Sequence, residues 1–224
     1  MTSIAILGGT GQQGRGLAQR FAAAGIHVTV GSRDPQRARD TVASWGHHRE
    51  LVEVADNIAA VDQSDLTVLA IPFSSVDAIL AELHDHFKNG SIVVDVTVPV
   101  TFTGGKMAMV EVAEGSATEH IRARLPGHVQ LAAAFKTVPA HLLGSSGESL
   151  DCDEFICADS DEARARATAL IQKLPGLRPV DVGPLSRARF IEHLTALAIA
   201  INRRHKIHDA RFRVVGLTST EVFR

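Results

Sequence analysis

The chain has few aromatic residues and no strong excess of charge. Phe, Trp and Tyr make up 4% of its 224 residues, with one Trp and no Tyr. So few aromatics argue against a nucleic-acid surface built on base stacking. Lys and Arg total 23 against 25 Asp and Glu, for a formal net charge of −2. That balance rules out a broadly basic protein held by phosphate contacts, so we expect no nucleic-acid partner.

Cysteines and long apolar runs are also scarce. Cys152 and Cys157 are too few for a disulfide framework and lack zinc-ligand spacing, so we expect free thiols in a reducing cytoplasm. No apolar stretch approaches the roughly 18 residues that span a bilayer. No basic segment precedes the first apolar run, as it would in a signal peptide. The sequence therefore predicts a cytoplasmic protein without a membrane partner.

The first 31 residues contain the pattern of a βαβ unit. Residues 3–7 form a short apolar run that glycines end, which is typical of a strand buried on both faces. Residues 8–14 read Gly-Gly-Thr-Gly-Gln-Gln-Gly, and a segment with helical spacing of apolar residues follows. A second strand is predicted over 26–30. Strand, glycine turn, helix and strand in this order predict a dinucleotide-binding unit.

The same alternation continues along the chain. Further strands are predicted over 51–54, 66–71, 91–96 and 129–134, with helices over 34–44 and 74–87, and a loop with a short helix over 101–115. This pattern favours an α/β fold with a Rossmann-type, doubly wound parallel sheet. The Pro- and Gly-containing stretch at 139–150 suggests a boundary. We expect an NADP-binding domain over 1–145 and a smaller C-terminal α/β region over 146–224, which forms the other side of the cleft and ends in a long apolar helix over 185–204.

The glycine turn and the end of the second predicted strand favour NADP over NAD. Gly9-Thr10-Gly11-Gln12-Gln13-Gly14 fits G-x-G-x-x-G, whose glycines permit a tight turn and a close approach to a diphosphate. The second strand ends in Gly31-Ser32-Arg33 without the acid that binds a ribose 2′-hydroxyl. Arg33, Ser32 and Arg37 suit a 2′-phosphate instead, because guanidinium groups form charge-assisted hydrogen bonds. The alternative is that both arginines are ordinary surface charges.

Three further segments follow predicted strands. They are 71–73, 96–99 and 135–139. Ligands of open α/β sheets bind outside the carboxyl ends of the strands, so these segments are candidates to surround the nicotinamide and its reaction partner. Their prolines could instead simply end the strands.

Motifs spread over most of the chain resemble the coenzyme F420-dependent NADP oxidoreductases, a family of NADPH-dependent deazaflavin reductases. They are Leu7-Gly-Gly-Thr-Gly-x-x-Gly-x-Gly-Leu-Ala18, Val30-Gly-Ser-Arg33, Ile71-Pro72, Val98-Pro-Val100, Lys136-Thr-x-Pro-Ala140 and Gly176-Leu-Arg-Pro-x-Asp-x-Gly-Pro-Leu185. The resemblance implies hydride transfer between NADP(H) and the deazaflavin coenzyme F420 in a cleft. The residues expected to contact the cofactors are Gly9, Thr10, Gly11, Gln12, Gln13, Ser32, Arg33, Arg37, Ile71, Pro72, Val76, Val98 and Val138.

Lys136 is the candidate catalytic residue. Reduction of a deazaflavin builds negative charge on its pyrimidine side, and a nearby cation would stabilise the transition state. Lys136 is the one charged residue in the three segments named above. It could instead point to solvent or pair with an acid.

Other activities and the assembly state stay open at this point. The chain could reduce another acceptor with NADPH, such as a flavin, an imine or a ketone, or it could be a non-catalytic redox sensor that binds NADP. The wide apolar stripe of the last helix predicts a homodimer. The histidine pairs His84/His86 and His205/His208 are interpreted as solvated, so no metal site is expected.

Overall fold

The computed structural model describes residues 3–46, 49–145 and 148–217. One eight-stranded sheet forms its centre, with a separate two-stranded hairpin. The strands of the large sheet are β1 (Ser3–Leu7), β2 (His27–Gly31), β3 (Val52–Ala55), β4 (Leu66–Leu69), β5 (Ile92–Asp95), β8 (Gln130–Ala133), β9 (Cys152–Ala158) and β10 (Leu177–Gly183). Their order is β10-β9-β8-β5-β4-β1-β2-β3. The predicted Rossmann-type architecture is confirmed. Six neighbouring strands of the sheet, in the order β3-β2-β1-β4-β5-β8, follow the order usual for this fold.

Helices cover both faces of the sheet. They are α1 (Gln12–Ala23), α2 (Pro35–Ala43), α3 (Asn57–Asp62), α4 (Val76–Leu83), α5 (Ala117–Arg122), α6 (Ala140–Gly144), α7 (Asp161–Gln172) and α8 (Ala188–His205). Alternate residues of β1 enter opposite core layers. Ile4 and Ile6 pack with α1, α2, α6 and α7, whereas Ala5 and Leu7 pack with α3, α4, α5 and α8. A strand buried on both faces is therefore apolar throughout.

Two features differ from the sequence-based expectation. Residues 101–115, expected as a loop with a short helix, contain the antiparallel hairpin β6 (Val100–Thr103) and β7 (Lys106–Met109). Gly104 and Gly105 have φ angles of +56° and +77°, the conformation that a tight hairpin turn demands and glycine readily adopts. The sheet is also not fully parallel, because β9 runs antiparallel to β8.

The C-terminal region continues the sheet of the N-terminal one. The boundary predicted between 145 and 146 lies beside residues 146–147, which are outside the described residues. After it, β9 pairs with β8 and β10 pairs in parallel with β9. In the described part of the chain, none of the helices combines the length and the hydropathy that a membrane span requires. The last seven residues of the predicted C-terminal region, 218–224, also lie outside the description.

Candidate active site

The glycine turn between β1 and α1 is shaped by close backbone contacts. Gly8 has a φ of +77°, and the Gly11 N–H donates to the Gly8 carbonyl at 3.0 Å. A Cβ at Gly14 would lie 2.5 Å from the Gly8 oxygen and 2.8 Å from the Gly9 Cα. Gly11 is exposed, and the first turn of α1 carries no acidic residue. Free N–H groups and the positive end of the helix dipole therefore face the crevice, as a diphosphate requires.

A cavity lies beside this turn at the end of β2. Its volume is about 580 Å³, and its lining residues are Thr10, Ser32, Arg33, Asp34, Arg37, Ala38 and Thr41. Arg33 and Arg37 are exposed, and the described residues include no ion-pair partner for either. Asp34 is the N-cap of α2 and accepts the Arg37 N–H at 3.0 Å. The structure thus brings the predicted 2′-phosphate residues together with unpaired positive charge.

The predicted crevice residues differ in exposure. Pro72 is exposed and Val98 is half-buried, so both have surface to offer to a ligand. Ile71 and Val138 are buried, and Val76 lies fully inside the core against α3 and α4 neighbours. Val76 therefore has no exposed surface in this structure.

Lys136 lies in a buried ion network. Its side chain has no exposed surface, and its Nζ lies 2.7 Å from Asp95 Oδ2 and 3.3 Å from Glu192 Oε1. Nζ also donates a short hydrogen bond to the Thr97 carbonyl. Thr118 Oγ1 on α5 donates to Asp95 Oδ2 at 2.7 Å. The ammonium group thus contacts oxygens of β5 and α8, and Asp95 extends the network to Thr118 on α5. These contacts link the three elements to the segment after β8.

Burial and the neighbouring charges shift the pKa values of Lys136 and Glu192. Burial alone would lower the pKa of Lys136, but Asp95 and Glu192 more than offset it, so the pKa is raised and the ammonium stays charged. Burial raises the pKa of Glu192, an effect that Lys136 opposes and Asp95 reinforces. The geometry corresponds to the acid-paired alternative for Lys136.

A third buried carboxylate, that of Glu154, holds the same segment. Glu154 on β9 accepts the N–H groups of Lys136 at 3.0 Å and Val138 at 2.9 Å. It also accepts from the N–H and hydroxyl of Thr137, at 3.4 and 3.0 Å. Burial raises the pKa of Glu154 to about 7, while these hydrogen bonds act in the opposite direction.

Gln13 contributes to this arrangement from the nucleotide side. It is expected to bind NADP, and its side-chain amide donates to the Phe135 carbonyl at 2.8 Å and more distantly to the Val138 carbonyl at 3.5 Å. Its neighbour Gln12 is exposed beside Thr10 at the opening of the turn. Gln13 therefore joins the glycine turn to the segment after β8.

Sequence reasoning missed the buried acids Asp95, Glu154 and Glu192. Asp95 ends the otherwise apolar strand β5, which is a signal because an ionised side chain is costly to bury unless it is paired or hydrogen-bonded. Glu154 follows Asp153 on β9 and Glu192 lies on a helix with other polar residues, so neither stood out. The sequence could not show that all three acids contact the same segment after β8, since they come from three elements far apart in the chain.

These residues fit a bound dinucleotide phosphate. A Cβ at Gly9 would lie 2.9 Å from the Val30 methyl carbons, so only glycine allows the turn to pack this closely against β2. The arginine-lined cavity lies beside that turn. Within the described ranges, no group of three or more His, Cys, Asp or Glu residues could hold a metal ion.

Comparisons with known proteins match this chain to one family. Residues 3–99 match the family described as "NADP oxidoreductase coenzyme F420-dependent". The chain is 35% identical over 225 residues to the F420-dependent NADP reductase of Methanothermobacter thermautotrophicus, with 97% of each chain covered. It is 30% identical to the F420-dependent NADP reductase of Methanocaldococcus jannaschii, with 96% of this chain and 98% of that protein covered.

A solved structure shares the fold over its whole length. It is an Arthrobacter sp. FB24 chain assigned as an F420-dependent NADP-reductase, with a TM-score of 0.84 and 25% identity, covering 96% of this chain and 100% of that one. Together with the two near-full-length relatives, it confirms the resemblance seen in the motifs. The chain belongs to the coenzyme F420-dependent NADP oxidoreductase family.

Proposed function

We propose that this protein transfers a hydride between NADP(H) and the deazaflavin coenzyme F420. The observation that carries the proposal is the placement of a glycine-rich turn, an unpaired arginine pair and three strand-end segments at the carboxyl end of the parallel strands. When bound, NADPH supplies the hydride. The chain's own task is to bind and orient two rings, and orientation alone can contribute roughly 7–11 kcal/mol of barrier lowering.

Each of these features at the carboxyl end of the strands has a distinct role in this proposal. The backbone of Gly9 and Gly11, with the N-terminus of α1, binds the diphosphate. Arg33 and Arg37, with the hydroxyls of Ser32 and Thr10, bind the 2′-phosphate. Segments 71–73, 96–99 and 135–139 enclose the reacting rings and exclude water from them.

Lys136 enters the proposal as a buried anchor. Because Asp95 and Glu192 neutralise its ammonium group, its role is to hold the segment 135–139 in place rather than to stabilise charge on a ring. Lys136→Ala should lower kcat more than it raises KM for the deazaflavin. An unaltered kcat would remove Lys136 from the mechanism.

The direct test mixes the purified chain with NADPH and oxidised coenzyme F420 and follows the loss of the deazaflavin's visible absorbance. Bleaching that requires both the chain and NADPH supports the proposal. NADPH oxidation with a flavin, an imine or a ketone, but not with the deazaflavin, would identify a different reductase. Binding of NADPH without turnover of any acceptor would favour the redox sensor.

We also propose that the chain is a cytoplasmic homodimer that pairs through α8. Phe190 and Leu197 lie seven residues apart on this helix and are 67% and 50% exposed, an arrangement that favours burial against a second copy. The buried free thiols Cys152 and Cys157 suit a reducing compartment. Equilibrium sedimentation should give twice the chain mass of 23.9 kDa, and Leu197→Asp should lower it towards a single chain. A single-chain mass for the wild type would refute the dimer.

A further inference from the structure

The segment 135–138 after β8 has an unusual backbone. Phe135 has a φ of +57°, a left-handed conformation that costs energy for a residue with a side chain, and its ring is buried edge-on against Phe21 at 5.7 Å. Such a conformation persists only where surrounding contacts over-determine it. The three residues that follow then present their N–H groups towards one carboxylate, that of Glu154.

The position of Glu154 follows from the strand topology. Because β9 runs antiparallel to β8, with Ala133 opposite Cys157, the residues before Cys157 extend past the end of β8. Glu154 therefore lies beside the segment that leaves β8. A carboxylate can accept successive backbone N–H groups as an anion does in a backbone nest. An apolar side chain at this position could pack there but could not hold these donors.

Burying the Glu154 carboxylate costs free energy, and packing alone does not account for its presence there. It is completely buried, and the described residues contain no cation paired with it. Its negative charge is balanced by N–H and O–H dipoles, so the segment and the carboxylate each depend on the other. The other end of the segment is held by Gln13 from the nucleotide helix.

We propose that Glu154 is a positioning residue that holds segment 135–138 as the acceptor-side wall of the crevice, with Gln13 connecting this wall to the nucleotide turn. The inference rests on the proposed function, since it assigns the wall to the hydride acceptor. Glu154 touches neither ring in this account and acts through the backbone of the three residues it binds.

The test replaces Glu154 by an isosteric amide. In Glu154→Gln, one oxygen still accepts, but an NH2 group now faces the segment's own donors. We expect kcat for deazaflavin reduction to fall about tenfold or more, because small misplacements of reacting groups are costly, and KM for the deazaflavin to rise. The NADPH dissociation constant, measured by fluorescence, should stay unchanged. Amide hydrogen exchange at 136–138 should become faster than in the wild type.

Asp153→Asn is the matched control. Asp153 precedes Glu154 on the same strand and is 1% exposed, but its carboxylate binds Arg178 and the Val214 N–H, away from the segment. This variant should lose stability without changing kcat or the exchange at 136–138. An equal fall in kcat in both variants would reduce Glu154 to a structural role and overturn the inference, as would wild-type kinetics in Glu154→Gln.

A milder variant covers the case in which Glu154→Gln does not fold. Thr137→Val removes only the hydroxyl that donates to Glu154 Oε2 at 3.0 Å and should give a smaller change in the same direction. Unchanged kinetics and exchange in that variant would then count against the inference. If the wild-type chain leaves the deazaflavin unreduced, the proposed function fails. The exchange comparison still decides whether Glu154 holds the segment.

Discussion

Removal of the arginine pair at the end of β2 should abolish the preference for NADPH over NADH. Arg33 and Arg37 line the same cavity, are exposed and have no ion-pair partner among the described residues. A hydrogen bond to a charged group contributes about 1.5–3 kcal/mol, and solvent screening at exposed positions favours the lower end. Each arginine should therefore account for about tenfold in NADPH affinity, and the pair for about a hundredfold.

The assay titrates each variant with NADPH and NADH by fluorescence at one ionic strength. Arg33→Ala with Arg37→Ala should weaken NADPH binding while NADH binding changes little, because NADH lacks the 2′-phosphate. Arg39→Ala is the control, since Arg39 is exposed on the same helix but lies outside the cavity and contacts Gln36 at 3.4 Å. An unchanged affinity ratio in the double variant would refute the reasoning, as would an equal loss for both cofactors.

Three other changes test the glycine turn and the buried network. Gly14→Ala should weaken NADPH binding at least about tenfold, because the new Cβ would lie 2.5 Å from the backbone oxygen of Gly8; unaltered binding would contradict the account of the turn. Lys136→Met should cost about 3–5 kcal/mol, or roughly 10 °C in Tm, because it leaves buried carboxylates unpaired, and a wild-type Tm would be the contrary result. The folded-state pKa of Glu154, about 7, exceeds its ordinary 4.5, so ionisation of this group opposes folding. Relative to Glu154→Gln, the wild type should lose roughly 3 kcal/mol between those pH values in denaturant unfolding, whereas a difference constant with pH would exclude this titration.

The wall proposed at Glu154 links the predictions for Glu154 and Lys136. In this proposal no cation or nucleophile touches the acceptor. The acceptor side of the crevice is instead backbone held by buried charges on β9, β5 and α8. A reaction that needs two rings at a fixed separation depends on such rigidity more than on proton transfer. Perturbing the anchors should therefore change kcat while leaving NADPH binding largely intact.

The sequence by itself determined the βαβ start, the glycine turn and the arginine pair. Those features are local: a doubly buried strand must be apolar, a tight turn must be glycine, and a 2′-phosphate site lies at the end of the second strand. The short helices α3, α5 and α6 escaped notice, since five or six residues give too little periodicity to recognise. The hairpin at 100–109 was missed although Gly104-Gly105 signalled its turn.

Only the tertiary structure decided what surrounds Lys136. Its partners Asp95 and Glu192 lie 41 and 56 residues away in sequence, and no pattern along the chain links an acid ending a strand to one inside a helix. The antiparallel pairing of β9 with β8 likewise places Glu154 beside a segment that precedes it by 16–18 residues in sequence. Periodicity reports which face of an element is buried, whereas the identity of the buried neighbour depends on how whole elements pack.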